Sequence, residues 1–200
     1  MKEKFVNGLT NFITKNKDCD ELKIKTIRYG LEGLYLSVTK FIVIFIIVII
    51  CNTLIEYLLL LVFYLLIRKY SFGLHATSSL ACWLTTLPIY VGGSLIIKYC
   101  IFNHYIPYVV WLFAFISFVL WAPADTPKRP LIRKKQRKVQ KLKTCIICFI
   151  YLIILIFSNN STLNNAIIIS LIVQAVMINP LIYKLTRTRF NNYQYYPNKV

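Results

Sequence analysis

Six long apolar runs alternate with polar segments along the chain: 34–51, 53–67, 76–99, 105–122, 144–158 and 163–183. A helix needs about 20 apolar residues to cross the hydrocarbon of a bilayer, so each run predicts a membrane segment. The second and fifth are short, which extends their ends into neighbouring residues or thins the bilayer around them. Only Asn52 separates the first two runs, which demands a tight hairpin, and Asn159-Asn160-Ser161 marks another between the last two. Ahead of the first run the pattern changes. Phe5, Leu9, Phe12 and Ile13, then Leu22, Ile24, Ile27 and Leu31, mix with seven basic residues at spacings of three and four. That pattern predicts amphipathic helices lying in the headgroup layer. The expected fold class is an all-α polytopic membrane protein with about six membrane segments and N-terminal amphipathic interfacial helices. The expected organisation is 1–33 interfacial, 34–183 membrane domain with a basic loop at 123–143, and 184–200 as a tail. There is no internal repeat and no low-complexity stretch.

Composition agrees with this reading. Of 200 residues, 58% are hydrophobic and 16% charged, and the mean hydropathy is +0.60. A soluble domain of this length sits nearer balance. The start of the chain, Met1-Lys2-Glu3-Lys4-Phe5, lacks the short apolar run and small-residue cleavage site of a signal peptide, so none is expected. The net charge of +17 would suit nucleic acid, but its distribution points to a membrane. Of 24 Lys and Arg residues, 22 lie in the segments 1–33, 68–73, 123–143 and 184–200. Lys40 and Lys98 sit near the ends of apolar runs, from which a long side chain snorkels to the headgroups. The positive-inside rule therefore places both termini and all four basic segments in the cytoplasm, in the cell membrane. The external loops near 52, at 100–104 and at 158–162 then carry no formal charge. Nucleic acid is not an expected partner, whereas anionic lipid is, at about 1 kcal/mol per basic residue near the surface.

The cysteines at 19, 51, 82, 100, 145 and 148 show no disulfide or zinc spacing with a suitable partner, so neither a metal nor a cofactor is expected. Cys145-x-x-Cys148 lies inside an apolar run, with no second pair and no nearby His, and reads as packed small residues. The segment from Arg68 to Cys82 differs. It enters a membrane run at its cytoplasmic end and carries His75, one of two histidines in the chain. A cysteine peptidase needs a thiolate and an imidazole within hydrogen-bond reach, because the base activates the thiol and later protonates the leaving amine. On one straight helix, residues seven apart share a face but are separated by about 10.5 Å, so the pair requires a bend. Gly73 loosens the approach, and Thr77, Ser78 or Ser79 supplies an N-cap for a helix holding Cys82 in or just beyond its first turn. Backbone N–H groups there lower a thiol pKa, an effect that fades after one turn. The alternative is an interfacial His75 and a packed Cys82.

Arg68, Gly73, His75-Ala76 and Cys82 together resemble the signature of the AgrB family, the accessory gene regulator B membrane endopeptidases of Gram-positive quorum sensing. Ala122-Pro123-Ala124-Asp125-Thr126-Pro127 is similar to a second family motif, and Tyr29-Gly30-Leu31-Glu32 to the entry into its first membrane segment. One departure is Phe72-Gly73-Leu74, where the family often carries two glycines and an aromatic before His-Ala. The resemblance implies Cys82 as nucleophile and His75 as base. It also implies a short precursor peptide, AgrD-like, as substrate, with an amphipathic N-terminus, an internal Cys or Ser, and an acidic tail. The enzyme of such a family removes the tail and passes the acyl group to the internal nucleophile, closing a thiolactone or lactone autoinducer. The family is reported to dimerise.

Further residues remain open at this stage. Glu32 and Asp125, both at the cytoplasmic boundary, would orient His75, hold Arg68, or serve as a surface ion pair and a loop cap. Glu56 reads as an intramembrane pairing or packing site. Lys134, Lys135, Arg137 and Lys138 belong to a stretch, Lys128–Lys143, with nine basic residues and no acid. That stretch suits topology, lipid, and the precursor's acidic tail alike. A multi-spanning peptide transporter and a non-catalytic scaffold are the competing classes. Against a transporter stand the absence of repeated halves and the scarcity of Gly or Pro interruptions.

Overall fold

The computed structural model describes residues 2–15, 20–74, 78–127 and 130–196. Among them the regular elements are all helical, α1 to α9 with one π-helical and one 3-10 turn, and the chain divides into two units, Met1–Ile47 and Val48–Val200.

In the first unit, α1 (Lys2–Thr14) buries Val6 and Thr10, one turn apart, and the Thr10 hydroxyl donates back to the Val6 carbonyl at 2.7 Å. Phe5 tilts against Tyr35 at 5.4 Å between ring centroids. The second amphipathic stretch is not a separate helix. It forms the first turns of α2 (Glu21–Ile50), which runs on without interruption through Gly30 and Gly33. Exposed Glu21–Lys25 and Arg28–Glu32 pairs at i,i+4 spacing, 3.2 and 3.7 Å, favour helix across this polar stretch.

The second unit opens at a tight turn at residue 52, where the sequence predicts a hairpin. Asn52 takes a left-handed φ of 54°, and the amides of Asn52 and Thr53 return to the carbonyls of Ile49 and Val48. Asn tolerates that conformation at a helix C-terminus, so one residue stops α2 and releases α3 (Leu54–Ser71). A helical run follows from α4 (Ser79–Leu87) through a π-helical turn (Pro88–Gly92) into α5 (Gly93–Tyr99). Pro88 has no N–H to give and its ring crowds the preceding turn, so the wider turn relieves both problems. A Cβ on Gly93 would stand 2.7 Å from Leu60 Cδ2, so glycine is what lets α5 approach α3 this closely.

Next come α6 (Ile106–Trp121), α7 (Lys134–Phe157), α8 (Ser161–Ile178), α9 (Pro180–Leu185) and a 3-10 turn (Asn192–Tyr195). At the centre stands α8, buried continuously from Asn165 to Leu171, with α3, α5, α6 and α7 against it. A helix apolar all round belongs in such a place. Two polar groups inside the bundle bond across helices: Tyr151 OH donates to Phe63 O at 2.6 Å and Trp111 Nε1 to Cys148 O at 2.7 Å. Cys148 is fully buried in this core, and neither it nor Cys145 is in a disulfide, as packed residues would be.

Four helical stretches are long and apolar enough to cross a membrane: Glu21–Ile50, Ser79–Tyr99, Lys134–Phe157 and Ser161–Ile178. Ile106–Trp121 is apolar but shorter, and α3 carries Glu56, Arg68 and Lys69 within its 18 residues. The basic stretch expected as a loop is helical from Lys134, so α7 begins three turns before the apolar residues do. Unit two also sorts its connections by charge. Asn52, 100–105 and 158–161 meet at one end, where Lys98 donates to Asn52 O, and Asn165 to Ile97 O and Cys100 O at 3.2 and 3.1 Å. The ends of α3, α6 and α8 meet at the other.

A cysteine-lined cavity at the basic end

The break that joins α3 to α4 is built from backbone conformation and one buried amide. Phe72 has φ 61° and Gly73 φ 119°. The Gly73 amide donates to Ala124 O at 2.8 Å, Ala124 N to Ser71 O at 3.0 Å, and Leu74 N to Met177 O at 3.0 Å. Gln174 Nε2 secures the same corner, donating to Ser71 Oγ at 2.6 Å and Phe72 O at 2.7 Å. A Cβ at residue 73 would lie 3.2 Å from Met177 O, so both the left-handed backbone and the space require glycine. Ala124, from the Ala122–Thr126 motif, is thus a strut that holds the break open.

Ser78 caps α4, its hydroxyl accepting from Ala81 N at 3.1 Å, as expected for one of the three hydroxyl residues there. Residues 68–82 are therefore not one helix, and Cys82 sits just beyond the first turn of α4 with its amide bonded to Ser78 O. His75 lies outside the described residues, as do Lys128 and Arg129.

Cys82 lines a cavity of about 290 Å³, walled by Thr85, Thr86, Ile89 and Tyr90 below it on the same helical run and by Tyr64, Leu65 and Arg68 from α3. Leu74, Met177, Thr186 and Thr188 close it at the basic end. Cys82 Sγ is 3.8 Å from Thr86 Oγ1. Arg68 bonds Tyr64 OH and, at 2.9 Å, Leu74 O, and its guanidinium lies over the Tyr64 ring. Among the described residues no carboxylate pairs with it. The cavity therefore holds a thiol, a net positive charge and several hydroxyls in a largely apolar wall.

The structure thus places Arg68 and Cys82 on one cavity, with Gly73 in the break beside it. Asp125 has a different employment: Oδ2 accepts from Leu131 N at 3.1 Å and Oδ1 from Asn192 N at 2.9 Å, a buried loop cap tying the segment after α6 to the tail. Glu32 belongs to the first unit and pairs with Arg28, while Glu56 stands in the first turn of α3, at the far end of that helix from Arg68. Lys134, Lys135 and Lys138 are exposed on the first turns of α7, whereas Arg137 stacks on Tyr193, 3.2 Å from the ring centroid. Sequence reasoning missed Gln174, Tyr64 and Tyr90. A polar residue at the end of an apolar run was the available signal for the first; nothing marked the tyrosines. Among the described residues no three His, Cys, Asp or Glu side chains gather to hold a metal.

An all-helical chain with several bilayer-length apolar helices and a cysteine cavity at its basic end is the class that this fold and site define. The profile of the Accessory gene regulator B family matches residues 6–178, and the chain belongs to that family. It is 35% identical over 180 residues to an AgrB-like protein of Listeria monocytogenes, covering 90% of this chain and 88% of that one. Identity to an AgrB-like protein of Listeria innocua is 34% over the same shares, and to the accessory gene regulator protein B of Staphylococcus epidermidis 25%, over 90% and 92%. No solved structure matches.

Proposed function

We propose that the chain is a membrane cysteine endopeptidase that trims a small precursor peptide of quorum sensing and closes it into a thiolactone or lactone. The observation that carries this reading is the seating of Cys82 in the cavity: a thiol one turn into a capped helix, across from Arg68, immediately after a purpose-built break. In the proposed step His75 takes the Cys82 proton, and the thiolate attacks the carbonyl carbon of the scissile bond. The C–N bond breaks as the imidazolium protonates the departing amine, which leaves with the acidic tail. The internal thiol or hydroxyl of the precursor then gives its proton to His75 and attacks the thioester, forming the ring and releasing Cys82. Exchange of one thioester for another is nearly isoenergetic, so the ring accumulates where water is kept from the acyl-enzyme. The apolar walls of the cavity serve that end.

The reading includes six membrane segments with both termini in the cytoplasm, amphipathic contact of the first helix with anionic lipid, and the exposed lysines of α7 as a dock for the tail. The clustering of uncharged loops at one end of the second unit supports it. The test is cleavage of the precursor in proteoliposomes. Cys82→Ala and His75→Ala should each abolish it with insertion intact, and the double variant should be scarcely worse, because the two act as one unit. Normal processing by Cys82→Ala would end the peptidase reading.

A further inference from the structure

The cavity runs on well past the thiol, and its inner end is unexplained by the cleavage step. Cys82, Thr86 and Tyr90 follow one another at intervals of four, and all three line it. Tyr90 stands about 12 Å along the helix from Cys82, inside the π-helical turn Pro88–Gly92. Turns of this kind often re-aim side chains at functional sites. Its ring is held edge-on by Tyr57 at 5.7 Å and by Tyr64 at 6.0 Å between centroids. The orientation is thus set by packing, yet the Tyr90 hydroxyl makes no hydrogen bond among the described residues. Tyr90 is half-buried and its side chain lines the cavity, so an amphipathic ring is presented there rather than sealed into the bundle. Arg68 beside it uses two of its N–H groups on Tyr64 OH and Leu74 O, and a guanidinium has five. Leu65 and Ile89 complete the walls.

Resting on the peptidase reading, we infer that Tyr90 and Tyr64 form the floor of a specificity subsite for the substrate residue whose carbonyl Cys82 attacks. The subsite takes a large aromatic or aliphatic side chain. Arg68, with no described carboxylate beside it, repels a cationic one. A side chain entering at Cys82 runs along Thr86 and Ile89 and meets the Tyr90 ring at the end. Tyr90 is then a specificity-determining residue and plays no part in moving protons.

The test uses the full chain in proteoliposomes and the alkylation of Cys82 by acetyl-Ala-Xaa chloromethyl ketones, with Xaa as Phe, Leu, Ala or Lys. Sulfur displaces chloride, so no precursor is needed, and iodoacetamide serves as a probe without a side chain. Phe and Leu should react about tenfold faster than Ala, with Lys slowest, since filling an apolar pocket is worth that order of discrimination. Tyr90→Ala should remove most of the advantage of Phe over Ala. Tyr90→Trp should block Phe and Leu while sparing Ala. Each rate is taken relative to the same variant's iodoacetamide rate, which corrects for any change in the thiol itself. An unchanged side-chain order in both variants would overturn the subsite, as would an equal slowing of every probe, which marks a merely structural tyrosine. If wild-type Cys82 reacts with iodoacetamide no faster than the other cysteines, it is the peptidase reading itself that falls.

Discussion

At the scale of single residues, the break between α3 and α4 concentrates its demands on Gly73 and Arg68. Gly73→Ala places a Cβ at φ 119° and against Met177 O, a backbone atom that cannot swing aside. Strain of that kind costs on the order of 1–3 kcal/mol. The expected outcome is a lower melting temperature in detergent together with loss of precursor processing, because the displaced corner ends α3 and sets the position of Leu74 in the cavity wall. Arg68→Lys should separate charge from geometry. Arg68 reaches Tyr64 OH and Leu74 O at once through two nitrogens of one planar fork, which an ammonium cannot do. Processing should fall by more than about tenfold with little change in melting temperature. Recovery of full activity by Lys would show that only the charge matters there. In the sequence, Cys82 stood apart from the other five cysteines because one of only two histidines, His75, lies seven residues before it and the pair fits the family signature. The tyrosines did not, since among 14 tyrosines only packing tells a cavity floor from an interfacial ring.

Elements show the same division. Every one of the six apolar runs is helical where it is described, and four of the helical stretches are long and apolar enough to cross a membrane, since a helix satisfies its own backbone and has few alternatives in lipid. Their limits were less legible: hydropathy ends where charge begins, but helical hydrogen bonding does not, so α2 and α7 extend three or more turns into basic sequence. For Asp125 in the segment after α6 a loop cap was one of the readings open in the sequence, and the structure shows that cap. Asp125 accepts one backbone amide on each oxygen and so binds Leu131 and Asn192 to the end of α6. Asp125→Asn turns one acceptor into a donor facing a buried N–H, a loss of about 1–3 kcal/mol. Trypsin should then cut within 126–135 and in the tail many times faster than in wild type, while Cys82 keeps its rate with iodoacetamide. Unchanged proteolysis would mean that the buried carboxylate does not hold these segments.

For the whole molecule the question is what a net charge of +17 accomplishes. The structure divides the α7 cluster in two. Lys134, Lys135 and Lys138 are exposed, Lys138 at the rim of a second hollow, whereas Arg137 is half-buried against Tyr193 and lines that hollow with Trp121, Lys141 and Phe190. Exposed charges act through a screened field whose range is about 10 Å at 0.1 M salt, so their contribution to capturing an acidic tail must fade as salt rises. A stacked guanidinium works by contact and does not fade in the same way. Changing the three lysines together to Gln should therefore weaken precursor processing at low salt by several-fold and flatten its salt dependence, leaving the high-salt rate and the melting temperature near wild type. Arg137→Gln should do the opposite, lowering the melting temperature and loosening the tail at every salt concentration with the salt slope intact. Precursor cleavage in proteoliposomes across a salt series, paired with melting curves, separates the two. An identical salt slope in the triple-lysine variant and wild type would remove α7 as the dock for the acidic tail while leaving the chemistry at Cys82 untouched.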